Sequence, residues 1–248
     1  MAPVAHDILF VTATWREMKA ALRGLDDFDA FHLSDEKAQE LQQGQPVGLS
    51  AGSGAFTAAV TGIGTLNSAM NMGRILANMK PKVCVNLGIA GSFDLDTHPM
   101  LSICTVESET WPEFGLHTNS GVDTRGIGFP PLRVNGKPVW ETLECQSSAA
   151  AAHGLQLGPW LSAKSLTVNG VTGVESRAEQ LKKRYGVEIE NMEGYALGAV
   201  CATQGVDFVE VRSISNLVGT RDSAFWDLDG SLRLLAKAAA QLFDKFQT

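Results

Sequence analysis

Residues 188–197 read Glu-Ile-Glu-Asn-Met-Glu-Gly-Tyr-Ala-Leu. The apolar residues around Ile189 predict the end of a strand, and the pattern from Gly194 to Thr203 predicts a helix. Three acids therefore stand where a strand passes into a helix. Ligands of open α/β sheets bind at such strand ends, and the start of a helix adds N–H donors and partial positive charge. A carboxylate here can accept two hydrogen bonds from a vicinal diol, although an acidic helix cap is the alternative interpretation.

Outward from this stretch, apolar runs and helical patterns alternate along the chain. The predicted strands are 7–11, 55–60, 83–87, 101–106, 163–168 and 208–213, and the predicted helices are 15–23, 68–79, 139–152, 176–185, 194–203 and 231–246. Residues 25–50 predict a peripheral hairpin or loop, and residues 111–138 a long irregular loop. The alternation predicts the α/β class, as a single three-layer αβα domain over residues 1–248 with a mostly parallel mixed sheet.

Composition limits the function classes. The chain has 248 residues and a formal net charge of -7, which argues against a nucleic-acid partner. Four cysteines (84, 104, 145 and 201) lie far apart without CxxC or Cys/His spacing, so we expect no metal site and reduced thiols in a cytoplasmic protein. No signal-like segment or run of membrane-spanning length is present, so no membrane partner is expected.

Two small-residue segments follow predicted strands. Residues 61–67 read Thr-Gly-Ile-Gly-Thr-Leu-Asn, but Asn67 stands where a dinucleotide motif needs its third glycine, so that interpretation is rejected. Residues 88–92 read Gly-Ile-Ala-Gly-Ser and predict a second turn. Turns after successive strands would lie side by side, and both would expose backbone to one small ligand.

Three motifs carry a family resemblance: Asn-Leu-Gly-Ile-Ala-Gly-Ser at 86–92, Asn-Met-Glu-Gly at 191–194 and Arg-Ser-Ile-Ser-Asn at 212–216. With Glu17 and the Gly62/Gly64 turn, their order resembles the nucleoside phosphorylase and nucleosidase superfamily, from Ile8 to about Phe243. Within it, the chain is similar to the methylthioadenosine and adenosylhomocysteine hydrolases, and in particular to the futalosine hydrolases of menaquinone biosynthesis.

The resemblance implies a role for each matching residue. Glu193 matches the acid that binds the ribose hydroxyls, and Met192 the residue that packs on the sugar. Glu17 matches the acid that activates the attacking water, and Ile89 and Gly91 lie in the segment beside the sugar and base. Such carboxylates stabilise the positive charge that develops on the ribosyl carbon as the N-glycosidic bond breaks.

At the base, the resemblance implies that Asn216 faces N7 and the six-position of the purine and that Val171 and Thr172 contact the base through backbone. The adenosine-type relatives carry an aspartic acid at the position of Asn216, which can protonate N7. An amide cannot deliver a proton but can donate a hydrogen bond to N7 or to a six-oxo group. Asn216 therefore favours a nucleoside of hypoxanthine, such as futalosine, over one of adenine.

Futalosine also bears a long acyl arm that ends in a carboxyphenyl group. The aromatic residues of 111–131 and the pair Phe225 and Trp226 are predicted to supply an apolar channel for that arm. Arg221, Arg125 or Arg133 is predicted to pair with its carboxylate. Solvent-exposed arginines and a packed lid are the alternative.

Other functions stay open at this point. A phosphorylase of this superfamily would carry Gly-Asp-Pro and an arginine in the first loop to bind phosphate. Residues 12–17 instead read Thr-Ala-Thr-Trp-Arg-Glu, which favours water over phosphate as the nucleophile. Because Arg16 is an arginine in that loop, phosphorylase activity stays an alternative. Methylthioadenosine nucleosidase and a non-catalytic nucleoside-binding protein are further alternatives. The resemblance implies a small-molecule purine nucleoside as substrate, no cofactor or metal, and a homodimer or larger homo-oligomer.

Overall fold

The computed structural model describes residues 6–119 and 121–247. Its strands are β1 (Ile8–Thr12), β2 (Val47–Ala51), β3 (Gly54–Val60), β4 (Val83–Ser92), β5 (Ile103–Thr110), β6 (Leu116–Thr118), β7 (Gly121–Asp123), β8 (Leu132–Val134), β9 (Lys137–Val139), β10 (Thr142–Glu144), β11 (Leu161–Thr167), β12 (Ile189–Asn191) and β13 (Asp207–Leu217). Its α-helices are α1 (Trp15–Leu22), α2 (Asp35–Gln42), α3 (Gly64–Asn78), α4 (Glu175–Tyr185), α5 (Gly194–Gln204) and α6 (Leu228–Leu242).

Nine of the strands in the described residues form one mixed sheet in the order β10-β5-β11-β12-β4-β1-β3-β2, with β13 between β4 and β5. Five pairings are parallel and four are antiparallel. Because β13 pairs with both β4 and β5, the strands β4, β12, β11, β5 and β13 close into a ring. The mixed, mainly parallel sheet is as predicted. The closure of five of its strands into a ring was not predicted.

The sheet is covered by helices on both faces, which explains the continuous apolar runs of its strands. In β1, Ile8 and Phe10 pack in a core with α1 and α6, whereas Leu9 and Val11 pack in a core with α3 and α5. Successive side chains of a strand point to opposite faces, so one short apolar run serves two cores. The prediction of three αβα layers is confirmed.

Two regions differ from the prediction. The predicted helix at 139–152 is wrong, because Thr142–Glu144 pairs antiparallel with β5 and residues 147–153 form a 3₁₀ turn. Within 25–50, the helix α2 was missed; Ser34 caps it by accepting from the N–H of Lys37, and Leu41 buries it against the core. Residues 111–138 contain two short hairpins, β6–β7 and β8–β9.

The strands that form the ligand-facing edge are longer than predicted. Residues 88–92 are part of β4, not a turn, because their backbone pairs with β13 as far as Leu217. The helix α3 begins at Gly64 rather than at residue 68. The segment containing Ile89 and Gly91 is therefore held rigidly between two neighbouring strands.

None of the helices in the described part of the chain combines the length and the apolar character that a membrane crossing requires.

Candidate active site

A cavity of about 320 Å³ opens where β1, β4, β12 and β13 end, and we name it the strand-end cavity. Seven of the nine site residues predicted from sequence line it: Glu17, Ile89, Gly91, Val171, Met192, Glu193 and Asn216. Thr172 and Arg221 do not line it directly. Side chains from residues 17 to 216 thus meet at one edge of the sheet, as ligand sites of open α/β sheets do.

Glu17 is buried and held from three directions. Its Oε2 accepts from the backbone N–H and the hydroxyl of Thr14, at 2.9 and 2.8 Å, which forms a capping box at the start of α1. Its Oε1 accepts from the N–H of Ile89 at 3.2 Å. Glu17 therefore caps its helix and also lines the cavity, and it does not point away as a merely nucleoside-binding protein would allow.

Glu193 is freed from helix capping by its neighbour. The Oδ1 of Asn191 accepts from the N–H groups of Glu193 and Gly194, at 2.8 Å each, and so caps α5. The Oε1 of Glu193 accepts from the N–H of Gly64 at 2.9 Å. Burial raises the pKa of Glu193, while the charge of Arg212 opposes that rise. The interpretation of this acid as a helix cap is wrong, and its carboxylate faces the cavity.

The Gly62/Gly64 turn supports this arrangement. Both glycines have positive φ, +89° and +85°, which places the chain in a conformation that favours glycine. The turn aims the N–H of Gly64 at Glu193 rather than at open space. We expected the backbone of this turn to face a ligand. It instead orients the side chain of Glu193, which faces the cavity.

Arg212 belongs to the motif at 212–216, but no role for it was predicted from the sequence. It is fully buried, and its Nε donates to Glu210 at 2.8 Å while Nη2 donates to Oδ1 of Asn86 at 2.5 Å. Its Nη1 lies 4.0 Å from Oε2 of Glu193. Burial alone would lower the pKa of Arg212, but the charges of Glu210, Glu193 and Glu109 raise it overall.

Gly88 makes room for this guanidinium. A Cβ at residue 88 would overlap Nη1 of Arg212 and lie 3.3 Å from Oε1 of Glu17. The missing side chain at residue 88 thus leaves space for the guanidinium of Arg212 next to Glu193. The sequence signal was present, because an arginine within the apolar strand at 208–213 must be paired when it is buried.

A second buried layer lies under Arg212 and contains Glu109, Glu210 and Asn191. Glu109 accepts from the hydroxyl of Thr167 at 2.6 Å and from Nδ2 of Asn191 at 2.5 Å. Burial, and then the charge of Glu210, raise the pKa of Glu109 well above its ordinary value. Glu109 therefore holds its proton more readily than an exposed glutamate does.

Glu190 also lines the cavity, and the sequence analysis gave it no role. Its carboxylate accepts from the N–H of Thr172 at 2.9 Å and from the Thr172 hydroxyl at 2.6 Å. Burial raises the pKa of Glu190, and the two bonds from Thr172 oppose the rise. The N–H of Thr172, which we expected to contact the base, is thus engaged by Glu190, while the side chain of Val171 is half exposed at the cavity.

Asn216 is aimed by an irregularity in β13. The register between β13 and β4 shifts between Ile214 and Asn216, and such bulges re-aim the side chains beside them. The Nδ2 of Asn216 donates to the carbonyl of Leu217 at 3.1 Å, and Oδ1 accepts from the hydroxyl of Ser215 at 2.8 Å. An amide nitrogen has two hydrogens, so one N–H is left for a ligand.

Gly91 is a glycine because of that amide. A Cβ at residue 91 would lie 2.8 Å from Nδ2 of Asn216 and 2.8 Å from a methyl group of Val218. Gly91 thus faces the cavity and lets Asn216 approach β4 closely.

The arginines predicted for the acyl arm lie in different places. The guanidinium of Arg221 stacks 4.7 Å from the ring centre of Trp226, which lines the cavity. That of Arg125 stacks 4.8 Å from Trp140, and Arg133 donates to the carbonyl of Gly136 at 3.2 Å. Of these three side chains, Arg221 is the one that contacts a cavity residue.

The predicted aromatic channel is only partly assembled. Trp226 lines the strand-end cavity, but Trp111 lines a separate apolar cavity of about 380 Å³ together with Leu66, Leu132, Tyr195 and Val200. Within the described residues, no group of three or more histidine, cysteine, aspartate or glutamate side chains is arranged to hold a metal ion.

Comparisons with known proteins agree with this fold. Residues 8–248 match the model of the phosphorylase superfamily. The futalosine hydrolase of Thermus thermophilus is 30% identical over 207 residues, which cover 81% of this chain and 88% of that protein. A 5'-methylthioadenosine/S-adenosylhomocysteine nucleosidase of Halalkalibacterium halodurans is 26% identical over 175 residues, covering 67% of this chain and 70% of that protein.

Among solved structures, that of a futalosine hydrolase mutant of Helicobacter pylori superposes with a TM-score of 0.69 over 98% of both chains, at 17% identity, which shows a shared fold. The chain therefore belongs to the phosphorylase superfamily, in which a futalosine hydrolase is one of its relatives.

Proposed function

We propose that this protein hydrolyses the N-glycosidic bond of futalosine and releases hypoxanthine and dehypoxanthine futalosine. The observation that carries the proposal is the meeting of two buried carboxylates, Glu17 and Glu193, with the neutral amide of Asn216 in one cavity. The similarity to the Thermus thermophilus futalosine hydrolase supports the same reaction. By that relationship the protein would act in menaquinone biosynthesis.

The sugar is proposed to lie between the two acids. The carboxylate of Glu193 accepts hydrogen bonds from the ribose hydroxyls, and Met192 packs against the sugar. As the bond to the base lengthens, positive charge grows on the ribosyl carbon, and fixed carboxylates in a buried site stabilise it strongly. The N–H of Gly64 and the guanidinium of Arg212 hold Glu193 in place for this contact.

Water is proposed as the nucleophile. Glu17 lines the cavity with its Oε1 beside β4, where it can take a proton from a water molecule that attacks the ribosyl carbon. Arg16 was the residue that left phosphorylase activity as an alternative, and it forms an ion pair with Asp229 at 2.6 Å. An acid at the nucleophile position and a paired arginine both disfavour an incoming phosphate.

The base is proposed to face Asn216, Gly91, Ile89 and Val171. The free N–H of the Asn216 amide donates to N7 or to the six-oxo group and so stabilises the negative charge of the departing hypoxanthine. An adenine leaving group needs a proton on N7, and an amide cannot deliver one. Thr172 is proposed to act through Glu190, whose carboxylate it holds at the cavity wall.

The acyl arm is proposed to leave the cavity along its apolar wall. Trp226, Leu228 and Leu232 line this side, and the guanidinium of Arg221 stacks on the Trp226 ring. An arm with an aryl group gains from burial against such a wall.

We also propose a cytoplasmic homo-oligomer. All four cysteines are free thiols, as is usual in reducing compartments. Ile63, Leu66 and Met70 are 56%, 79% and 60% exposed at the start of α3. Leu66 adjoins the apolar cavity that contains Trp111, so a second copy of the chain is a suitable cover. Light scattering after size exclusion would give the mass of the assembly, and a mass near the chain's 26.5 kDa would refute this proposal.

Base release by the purified protein tests the function. Futalosine, inosine and methylthioadenosine are compared with and without phosphate. We expect hypoxanthine from futalosine at a rate that phosphate does not change. Adenine from methylthioadenosine would contradict the role of Asn216, phosphate-dependent cleavage of inosine would indicate a phosphorylase, and no release from any nucleoside would indicate a binding protein.

A further inference from the structure

We propose that a basic groove between α1 and α6 binds the terminal carboxylate of the substrate's acyl arm. The basic groove has a volume of about 530 Å³ and is lined by Arg16, Lys19, Arg23, Asp229, Leu232 and Arg233. This inference rests on the proposed function, because the arm belongs to futalosine. It assigns a part in substrate selection to Lys19, Arg23 and Arg233, which lie outside the catalytic cavity.

The groove adjoins the strand-end cavity. Arg16 and Leu232 line both spaces, so an arm that leaves the cavity beside these two residues reaches the groove. Arg16, Lys19 and Arg23 follow one another at helical spacing towards the end of α1 and the turn after it. Residues 16 and 23 are separated by about 10 Å along a helix, a distance that an extended acyl chain with an aryl group can reach.

The charge of the groove is opposite to that of the protein. The chain has a formal net charge of -7, yet this groove gathers four cations and one acid. The acid, Asp229, is already paired with Arg16 at 2.6 Å. In the part of the chain that the structure describes, Lys19, Arg23 and Arg233 form no ion pair.

This arrangement separates two tasks. The apolar wall of Trp226, Leu228 and Leu232 accepts the uncharged part of the arm, and the cations beyond it accept the charge at its end. Arginine and lysine both bind carboxylates in a solvated groove, and each such pair is modest, so the groove is expected to affect substrate binding and not the chemical step. Arg221, which stacks on Trp226, then acts on the wall rather than on the carboxylate.

The double variant Lys19→Ala/Arg233→Ala tests the inference. Steady-state kinetics are measured with futalosine, with its carboxamide, whose arm is uncharged, and with inosine, which has no arm. We expect KM for futalosine to rise about fivefold to tenfold with kcat kept, because two partly solvated charge pairs are lost. The values for the carboxamide and inosine should change less than twofold.

A matched control removes the same charge elsewhere. Lys80 and Lys137 are exposed and line neither the cavity nor the groove, so Lys80→Ala/Lys137→Ala should leave KM for futalosine unchanged. Raising the ionic strength should raise KM for futalosine in the wild type and much less in the groove variant, since salt screens exposed charges. Added inorganic phosphate should be no stronger an inhibitor than chloride of equal ionic strength; competitive inhibition by phosphate would show a general anion site and overturn the assignment to the arm.

Equal losses with futalosine and its carboxamide, or no loss with either, would refute the inference while leaving the proposed function intact. If the wild type releases base from none of the nucleosides, the proposed function fails instead. Calorimetric binding of futalosine and its carboxamide to both variants then decides the inference separately: it stands only if the groove variant loses affinity for the charged arm alone.

Discussion

At the scale of residues, the candidate site is organised by one buried arginine and the acids around it. Arg212 contacts Glu210 and approaches Glu193, while Glu109 lies in the layer below. A single cation among three buried acids would leave excess negative charge, and the raised pKa of Glu109 removes part of it. Burial raises the pKa of Glu193 as well, and the charge of Arg212 opposes the rise at both acids.

The state of Glu109 predicts how stability depends on pH. Its pKa in the folded protein lies above the ordinary 4.5, so its contribution to stability is fully present below that value and is lost as pH rises through the folded pKa. In Glu109→Gln the amide cannot ionise, so the free energy of unfolding should fall less between about pH 5 and about pH 8 than in the wild type. Urea unfolding at both pH values measures this, with the exposed Glu179→Gln as control. An identical pH dependence of wild type and Glu109→Gln would contradict a raised pKa.

Asn216 predicts a switch of base preference. In Asn216→Asp an acid replaces the amide and can deliver a proton to N7, so the ratio of kcat/KM for methylthioadenosine to that for futalosine should rise about tenfold or more. Base release from both nucleosides gives this ratio, and Asn216→Ala should lower both rates without changing the preference in this direction. A ratio unchanged in Asn216→Asp would show that residue 216 does not select the base.

Arg221 predicts an effect confined to the arm. Because its guanidinium stacks on Trp226, Arg221→Ala should raise KM for futalosine about threefold to tenfold and leave KM for inosine unchanged. Parallel steady-state measurements with the two nucleosides check this. Equal effects on both would show that Arg221 serves the shared nucleoside part or the fold, and not the arm.

At the scale of elements, the close pairing of β4 and β13 forms the site. Both strands continue past the apolar runs that identify them, and their paired ends bring Gly88, Gly91, Arg212 and Asn216 together. Apolar periodicity marks where a strand is buried but not where its backbone pairing ends. The small residues at 88–92 indicated a turn, whereas Gly88 and Gly91 lack a side chain because neighbouring side chains occupy the space beside them.

Gly88 provides a test of this close approach. A Cβ there would overlap Arg212, so Gly88→Ala should cost about 1–3 kcal/mol in the free energy of unfolding and lower kcat. The control is Gly73→Ala in α3, where a Cβ meets nothing within 4 Å and the change should stabilise by up to about 1 kcal/mol. Urea unfolding measures both. Equal effects of the two substitutions would mean that Arg212 is not held as described.

At the scale of the whole molecule, the two ends of the described chain pack together. The helix α6 lies on α1, and both share one core with β1 and β4. The single domain over residues 1–248 stays a prediction, which this packing supports. Residues 1–5, 120 and 248 lie outside the described residues.

A single domain predicts one cooperative unfolding transition. Far-UV circular dichroism and tryptophan fluorescence should give coincident urea curves, because Trp15, Trp111 and Trp226 report on different parts of the chain. The midpoint should rise with protein concentration if the proposed homo-oligomer forms. Two separated transitions at all concentrations would contradict a single domain.

Local features of the protein were predictable from its amino-acid sequence. Apolar runs and helical spacing located most strands and helices, and the strand ends pointed to Glu17, Met192, Glu193 and Asn216 because parallel strands bring such ends to one edge. Periodicity failed at 139–152, where pairing with β5 outweighs helical preference.

Contacts between distant parts of the chain, by contrast, became visible in the folded molecule alone. The pairing of Glu109 with Asn191, the guanidinium of Arg212 in the space beside Gly88, the engagement of Thr172 by Glu190 and the basic groove all join residues from different elements. The sequence does not indicate which partner a given carboxylate or guanidinium will contact. Its charge state and direction depend on burial and on neighbours that the closed sheet and its covering helices supply.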